Sequence, residues 1–446
     1  MQKRSRILLL AALTIVAAAL GLIFVRNLID FPVYYSAGQS LIAGRDDLYS
    51  PDFAQGQVMD YRYVPFFLVI FLPLWLLPYS IASYIWYVLS VLQIAGCVWS
   101  ARRCVGASQS TVKIWMISAI VVAQYFFMIL HYGNAHLLAI FLLFASFHFA
   151  LKKSEMMAAI LLSLSITLKL TPIFVLPYFA LKRKWRFLSL VFILSIVINI
   201  TPSIYFGFEK NNELLHTWYK HVIVDQEFHE MNGPINLSLK GQLLRYFSAV
   251  DYSQRVDGDV RYPSVNLFSL PAASIRVVWM FSSLALYLFG LALIQRLSKK
   301  KTGMYRSVDN SINPIQYSAN DYEIRTTLEL GLMICLMLVI GPLTSKIYFI
   351  ALLWPVLGLS AFAFRDASPS AIFAKRVLLL VAFMNFALPL LPGASIQRLL
   401  LVLGVDFYVS CLITVALVYV LASTRPRSRR SFDEPRMRVL SATKKP

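Results

Sequence analysis

Residues 155–206 read EMMAAILLSLSITLKLTPIFVLPYFALKRKWRFLSLVFILSIVINITPSIYF, and this stretch decides the fold class. Its first half holds two short apolar segments, which are separated by Lys169 and Pro172. A basic run at 182–186 follows, and then an apolar run at 187–206. A helix needs about 20 apolar residues to cross the hydrocarbon core of a bilayer. The stretch therefore predicts helices that enter and cross a membrane, with a basic loop on one side.

The composition extends this prediction to the whole chain. Of the 446 residues, 58% are hydrophobic and only 14% are charged, and the mean hydropathy is +0.65. Soluble domains average about 25% charged residues, so a soluble enzyme and a secreted disulfide scaffold are excluded. We predict an all-α polytopic membrane protein with about 12 transmembrane helices. The predicted spans are residues 7–25, 79–101, 112–130, 136–151, 155–168, 171–182, 187–206, 272–296, 326–342, 347–364, 377–391 and 398–422.

The net charge of +20 reports membrane topology rather than a nucleic-acid partner. Most of the 42 Lys and Arg residues fall on one predicted face, as in the run at 182–186 and in the tail after Ser423. Loops rich in Lys and Arg remain in the cytoplasm. The sequence therefore predicts cytoplasmic N- and C-termini, a lipid bilayer as surroundings and no nucleic acid as partner.

The predicted spans divide the chain into one membrane domain at 1–424 and a basic cytoplasmic tail at 425–446. Two extracytoplasmic loops, at 26–78 and 207–271, are long enough to carry chemistry. The cytoplasmic loop at 297–325 is a polar connector between two spans. Within the first loop, the apolar stretch at 66–77 is too short to cross a bilayer and predicts an interfacial or re-entrant helix.

An acid, Asp30, follows the first predicted span by five residues, at the level where lipid headgroups meet water. A carboxylate at this level can accept a proton from the hydroxyl group of a substrate. Tyr34 and Tyr35 follow it closely in the sequence. Asp30 is therefore a candidate general base, and the alternative is an ordinary interfacial acid.

Lys169 lies between two short apolar segments, three residues before Pro172. A lysine at the centre of a membrane helix costs about 2.5 to 3.5 kcal/mol on insertion scales, and such residues tend to line functional cavities. Lys169 is therefore a candidate for binding a lipid phosphate. The alternative is a lysine whose charged end extends to the outer interface.

Amides and further cations occupy other predicted external turns. Asn134 lies in the turn from His131 to His136, where Gly-Asn is first of all a turn signal, although the amide can also hydrogen-bond a sugar hydroxyl. The second large loop adds Asn236 and Arg245, and Gly341-Pro342 precedes Lys346 at another external break.

The remaining ionisable groups point to no metal centre. The second loop contains His216, His221, Glu227 and His229. Because their spacing does not put two histidines on one helical face, we expect no metal ligands among them. Asp406 lies in the last predicted span, and we expect it to have a structural role and to pair with Arg398 or Arg276.

At these positions the sequence resembles glycosyltransferase family 87, a group of integral-membrane enzymes of the GT-C class. The motifs that carry the resemblance are Asp30-Phe31 with Tyr34-Tyr35, Tyr63-Val64-Pro65, Gly133-Asn134, Lys169-Leu170-Thr171-Pro172, and Asn236-Leu237-Ser238-Leu239 with Arg245. Val64 stands where the family usually has a proline, and Gly133-Asn134 stands where it generally has Gly-Gln. The chain departs from the family at 341–348, where members often carry an aromatic residue and a histidine after Ser-Pro. A histidine role therefore cannot be carried over to this segment.

The resemblance implies a metal-independent, inverting transfer of mannose or arabinofuranose from a polyprenyl-phosphate donor. The acceptor would be a glycolipid or glycan outside the cytoplasmic (inner) membrane, and no cofactor is implied. Asp30 would be the general base on the acceptor hydroxyl. The residues expected on the donor phosphate are Lys169, Arg245 and Lys346, and those expected on the sugar or acceptor are Tyr34, Tyr35, Tyr63, Asn134 and Asn236.

Two other functions fit a chain with many spans and both termini inside. A secondary transporter or flippase of lipid-linked sugars also uses short, broken helices. Against it, the first six and last six predicted spans show no repeat, and the two large external loops are unequal in a way that alternating access does not require. A polymerase or ligase of surface polysaccharide would also use a lipid-linked sugar.

Overall fold

A computed structural model describes residues 18–45, 48–49, 61–102, 111–225, 233–249, 262–306 and 319–423. Within these ranges all regular structure is helical, which confirms the all-α fold class. Most of the predicted first span, the basic tail, Glu227 and His229 lie outside the described residues.

The described chain forms a series of α-helices joined by short turns. In chain order they are α1 (Phe31–Ile42), α2 (Pro65–Trp75), α3 (Tyr79–Ala101), α4 (Thr111–Tyr132), α5 (His136–Leu151), α6 (Glu155–Leu168), α7 (Leu176–Leu181), α8 (Trp185–Ile200), α9 (Ser203–Phe206), α10 (Phe208–Trp218), α11 (Leu239–Phe247), α12 (Ala272–Arg306), α13 (Ala319–Ile340), α14 (Leu353–Arg365), α15 (Pro369–Phe386), α16 (Ala394–Leu403) and α17 (Val405–Ser423). Short 3-10 or π segments cover Val25–Asn27, Thr171–Val175, Tyr219–Asp225, Lys346–Leu352 and Leu388–Leu390.

Seven helical segments in the described ranges are long and apolar enough to cross a bilayer, which confirms a polytopic membrane protein. They are Tyr79–Ala101, Val112–Tyr132, Trp185–Phe206, Ala272–Leu297, Lys346–Arg365, Pro369–Leu390 and Val405–Ser423. An eighth span is possible if Ala18–Asn27 and α1, which meet at a bend of 61°, are counted together. Of the other five predicted spans, α5, α6 and the segment Thr171–Leu181 are apolar but shorter than a straight crossing requires. The predicted span at 326–342, in α13, is not among the seven, and most of the predicted first span lies outside the described residues.

Two breaks shape the region described below. Helix α6 ends at Leu168, Lys169 is extended with φ −150° and ψ 119°, and a 3-10 turn begins at Thr171. Pro172 lacks a backbone N–H and cannot continue the helix, so the predicted break is confirmed. The predicted last span is also divided, because Gly404 adopts a left-handed conformation (φ 75°) between α16 and α17.

Two hydrophobic clusters form the interior. The larger one joins α4, α5 and α6 to α13, α14, α15 and α17, and α14 lies at its centre with nearly every side chain buried. The smaller cluster is rich in aromatic residues and joins α1, α2 and the start of α3 to the start of α5. The predicted short helix at 66–77 corresponds to α2, which packs within this aromatic cluster.

The bundle has two distinct ends. At one end, Glu155 at the start of α6 pairs with Lys184 at 3.0 Å, and Glu329 of α13 pairs with Lys182. This is the end of the predicted basic loops. Helix α6 runs from this end to Lys169, and α13 runs from it to the turn before Lys346. Lys169 and Lys346 therefore lie at the opposite end.

Candidate active site

A cavity of about 330 Å³ lies at the end of the bundle opposite the basic loops. Its lining comes from the start of α1, the turn between α4 and α5, the break after α6, the segment before α14, and α16. The polar residues in the lining are Asp30, Tyr34, Arg62, Tyr63, Tyr132, Asn134, Lys169, Ser345, Lys346, Tyr348 and Gln397. A volume near 300 Å³ is at the lower end of the range for small-molecule sites, so the cavity can admit a sugar and its phosphate.

Asp30 is held at the entrance to α1 by contacts with the turn after α4. Its backbone N–H donates to the carbonyl oxygen of Tyr132 at 2.8 Å, and its side chain accepts a hydrogen bond from Asn134 Nδ2 at 2.9 Å. An aspartate at the N-cap position usually accepts a bond from the first turn of its helix. Here no such bond is made, and the carboxylate is turned to the cavity lining instead.

The aromatic cluster fixes the backbone around Asp30. Phe31 is fully buried, and its ring lies within 6.2 Å, centroid to centroid, of the rings of Phe71, Tyr79 and Trp86. Trp86 donates from Nε1 to the carbonyl oxygen of Gly133 at 2.7 Å. The start of α1 and the turn after α4 are therefore anchored to the same aromatic packing.

Two tyrosines connect the turn to the first loop. The hydroxyl groups of Tyr34 and Tyr63 lie 3.2 Å apart, and Tyr34 Oη also accepts from the backbone N–H of Ala135. Tyr63 donates to Asn134 Oδ1 at 3.3 Å. Burial raises the pKa of Tyr63 to about 12, although the nearby charge of Lys169 opposes the rise. Tyr63 therefore keeps its proton at neutral pH and remains a hydrogen-bond donor.

Lys169 extends from the break after α6 into the cavity. Its ammonium group donates to the hydroxyl oxygen of Tyr348 at 2.6 Å and lies 4.6 Å from the centre of that ring. It also lies 5.7 Å from the centre of the Tyr63 ring. The ring of Tyr348 also stacks on the ring of His136, with 4.1 Å between the ring centroids. The position of Lys169 is thereby fixed by aromatic neighbours rather than by an acid.

Lys346 lines both this cavity and a smaller adjoining space of about 40 Å³. Its ammonium nitrogen lies 3.9 Å from Asp406 Oδ2, and Asp406 Oδ1 accepts a hydrogen bond from Tyr125 at 2.8 Å. The expected pairing of Asp406 with Arg398 or Arg276 is therefore wrong. The division of the last span at Gly404 puts Asp406 in the first turn of α17, where it faces Lys346.

Three predicted site residues lie outside the cavity lining, and their described contacts are structural. Arg245 is buried and donates from Nη1 to the carbonyl oxygens of Pro234 and Asn236 at 2.9 Å. Asn236 is also buried, and its amide bonds to backbone groups of Pro342 and Thr344. Tyr35 donates to the carbonyl oxygen of Leu77 at 2.7 Å. The expected phosphate contact of Arg245 and the expected substrate contacts of Asn236 and Tyr35 are therefore not carried forward.

The cavity also contains residues to which sequence reasoning gave no role. Arg62 directly precedes the Tyr63-Val64-Pro65 motif, and Tyr348 follows Lys346 by two residues. Both therefore lie within or next to segments that the sequence indicates. Gln397 comes from α16 and donates to backbone carbonyls, including that of Leu391 at 2.8 Å. No feature of the sequence around Gln397 indicates that it reaches this site.

The charges of the lining favour an anionic ligand. Arg62, Lys169 and Lys346 contribute three cations, whereas Asp30 is the acid in the lining. Across the described ranges, no three His, Cys, Asp or Glu side chains form a group that could hold a metal ion. The residues present can therefore bind a phosphate through side-chain cations while a carboxylate faces the same space.

Comparison with known protein families gives a match over part of the chain. The family model described as glycosyltransferase family 87 matches residues 61–265. This segment includes Tyr63, Asn134 and Lys169, whereas Asp30 and Lys346 lie outside it. No curated protein and no solved structure matches the chain.

Proposed function

The match supports assignment of this chain to glycosyltransferase family 87 and indicates a membrane glycosyltransferase, and from this premise we propose what it transfers and how. The proposed donor is a polyprenyl-phosphate sugar, with mannose as the first candidate and arabinofuranose as the second. The proposed acceptor is a glycolipid or glycan on the outer side of the cytoplasmic membrane. The transfer would invert the anomeric configuration.

The observation that carries this proposal is the meeting of one carboxylate and three cations in a single cavity of about 330 Å³. Sugar transfer from a lipid phosphate needs a group that accepts the proton of the acceptor hydroxyl. It also needs positive charge where the leaving phosphate gains negative charge. Asp30 meets the first requirement, and Lys169 with Arg62 and Lys346 meets the second.

In the proposed reaction the acceptor oxygen attacks the anomeric carbon of the sugar, and its proton passes to the carboxylate of Asp30. A new glycosidic bond forms as the bond between the anomeric carbon and the phosphate oxygen breaks. The electron pair of that bond remains on the polyprenyl phosphate, which departs as an anion. The reaction needs no oxidant, no reductant and no nucleotide substrate.

Lys169 is the cation best placed to receive the leaving phosphate. Its hydrogen-bond acceptor is the hydroxyl oxygen of Tyr348 rather than a carboxylate, so its charge can act on an incoming anion. Because it stands at a helix break, the backbone holds it within the cavity rather than along a continuous helix. Tyr63 and Tyr34 line the same space and present hydroxyl groups to the sugar or acceptor.

The proposed orientation follows from the two ends of the bundle. The basic loops lie at the end that carries the Lys182–Glu329 and Lys184–Glu155 pairs, and basic loops remain cytoplasmic. The cavity lies at the other end, so we propose that it opens on the extracytoplasmic side. Lipid-linked donors would then reach it from the outer leaflet.

The test is transfer of labelled mannose from synthetic polyprenyl-phosphate mannose to a membrane glycolipid extract by the purified protein in detergent. Asp30→Asn keeps the size of the side chain but removes its basicity, and we expect turnover to fall by about 10² to 10⁴-fold. Asp366→Asn is the matched control, since Asp366 follows α14 at the basic end and accepts a hydrogen bond from the backbone N–H of Ser368, a bond that an amide oxygen can also accept. Full activity of Asp30→Asn would remove Asp30 from this role. Absence of transfer from both mannose and arabinofuranose donors would contradict the proposed function.

A further inference from the structure

The amide of Asn134 has a fixed orientation. Its Oδ1 accepts from the backbone N–H of His136 at 2.7 Å and from the hydroxyl of Tyr63 at 3.3 Å. A backbone N–H only donates, so the oxygen of the amide must face His136. The amide nitrogen then necessarily faces Asp30, and the Nδ2 to Oδ2 distance is 2.9 Å.

We propose that Asn134 is a positioning residue, which sets the rotation of the Asp30 carboxylate for proton abstraction. The proposal rests on the proposed function, because it assumes that Asp30 acts as a base. A hydrogen bond to Oδ2 fixes the plane of the carboxylate, and this also determines where Oδ1 lies relative to the cavity. The expected contact of Asn134 with a sugar hydroxyl is thereby replaced by a role that acts through Asp30.

Several further contacts hold the backbone around Asp30 and Asn134 in place. Asp30 is joined to the turn twice, through its backbone N–H to Tyr132 and through its side chain to Asn134. Gly133 has φ 63°, a conformation that side chains disfavour, and a Cβ there would lie 3.1 Å from Leu28. The carbonyl oxygen of Gly133 is bound by Trp86 at 2.7 Å. The turn therefore holds the amide in one place relative to α1.

The absence of a helix cap strengthens the inference. Asp30 occupies the N-cap position of α1, where its carboxylate would stabilise the helix by binding a backbone N–H. No side-chain cap bond is present at this helix start, and Asn134 receives the carboxylate instead. Pro32 has no N–H, and the N–H of Val33 donates to the backbone carbonyl oxygen of Asp30 at 3.1 Å, so the first turn of α1 does not draw the carboxylate away from Asn134.

Two substitutions at Asn134 separate positioning from other roles. Asn134→Asp keeps the size of the side chain and an acceptor oxygen for His136 and Tyr63, but it puts a second carboxylate against Asp30. Asn134→Ala removes the donor and the acceptor together without adding a charge. If Asn134 positions Asp30, the aspartate variant is the more damaged one, because two adjacent carboxylates repel or share a proton. If Asn134 only stabilises the turn, the order is reversed, since aspartate still accepts the bonds that close the turn.

The experiment measures kcat and KM with synthetic polyprenyl-phosphate mannose or arabinofuranose and a membrane glycolipid extract. We expect kcat to fall about 100-fold in Asn134→Asp and about tenfold in Asn134→Ala, with KM for the donor within about threefold of wild type. Asn266→Asp is the matched control, because this amide donates to the carbonyl oxygen of Ser248 in the loop between α11 and α12, outside the cavity lining, and the variant should keep wild-type turnover. A thermal midpoint measured on each purified variant identifies losses that come from unfolding.

The outcomes distinguish this inference from the proposed function. An active wild type with an active Asn134→Asp variant overturns the positioning role and leaves the proposed function standing. A rise in KM with unchanged kcat in both variants means that Asn134 contacts substrate, which also overturns the inference. If Asn134→Asp does not fold, a turnover loss in Asn134→Ala without a change in KM supports positioning, and wild-type turnover overturns it. Absence of transfer by the wild type, or full activity of Asp30→Asn, overturns both.

Discussion

Both ends of the bundle contain buried acids near cations, but the charges are arranged differently. At the basic end, Glu329 is 1% exposed and contacts Lys182 at 2.6 Å and Arg325 at 3.1 Å. At the cavity end, Lys169 contacts a tyrosine hydroxyl, and Lys346 approaches Asp406 only to 3.9 Å. At the basic end the buried carboxylate is in direct contact with cations, whereas Lys169 at the cavity contacts aromatic groups rather than a carboxylate.

The difference indicates what each end does. The charge of a buried carboxylate is compensated by two cations in close contact, and the contact with Lys182 joins α13 to the segment after α7, so this arrangement serves packing. Lys169 faces the cavity and contacts a tyrosine hydroxyl rather than a carboxylate, so it retains its electrostatic potential for a ligand. Such an arrangement has a cost in stability, and residues of this kind are expected where a substrate binds.

The largest expected effect of a substitution at the cavity end, after that at Asp30, is at Lys169. Lys169→Met removes the charge and keeps most of the apolar length of the side chain, and we expect kcat/KM to fall by about 10² to 10³-fold because the leaving phosphate loses its main cation. Steady-state transfer from the polyprenyl-phosphate donor measures this loss. Lys153→Met, at the exposed turn between α5 and α6 on the basic end, is the matched control. Equal activity of the two variants would show that Lys169 has no part in transfer.

An intermediate effect, on stability rather than turnover, is expected at the basic end. Glu329→Gln leaves Lys182 and Arg325 without their carboxylate, and removing one partner of a buried ion pair costs several kcal/mol. Both cations keep about a quarter of their side-chain surface exposed, at 26% and 28%, so water compensates in part and we expect about 2 kcal/mol. The thermal midpoint in detergent should fall, and turnover per folded molecule should not. A lower turnover at an unchanged midpoint would mean that this end also contributes to the chemistry.

The smallest expected effect is at Lys346. Its charge is shared with Asp406 at 3.9 Å, and its side chain is about one quarter exposed, so its contribution to binding a phosphate is reduced. We expect Lys346→Met to raise KM for the donor about tenfold, which corresponds to about 1.4 kcal/mol, while kcat changes less than threefold. Donor titration at saturating acceptor gives both constants. Unchanged KM would assign Lys346 to the pairing with Asp406 alone.

Most of the fold could be predicted from the sequence because its signals are local. Long apolar runs predict α3, α4, α8, α12, α14 and α15, and a lysine followed by a proline predicts the break after α6. The division at Gly404 was missed, since a glycine inside an apolar run carries little information about whether the helix continues. The helices shorter than a crossing also led to the predicted twelve spans, because length and hydropathy do not distinguish a short span from a helix packed within the bundle.

The site could be predicted only in part. Asp30, Tyr34, Tyr63, Asn134, Lys169 and Lys346 were named from the sequence, and all line one cavity. Arg245 and Asn236 lie in an equally suggestive motif but bind backbone carbonyls and amides of their own loop and its neighbour. Sequence does not reveal whether a polar side chain closes a loop or faces a cavity. Gln397 was missed for the opposite reason, since only tertiary packing brings α16 to this site.

The most direct test of this contrast between the two ends compares Asp30→Asn with Glu329→Gln in one transfer assay. Turnover is expressed per folded molecule, and the thermal midpoint of each variant is measured in parallel. We predict that Asp30→Asn loses at least about 100-fold in turnover with a midpoint near that of wild type. Glu329→Gln should keep wild-type turnover with a lower midpoint. Similar turnover losses in the two variants, or a loss confined to Glu329→Gln, would contradict the assignment of chemistry to the cavity end.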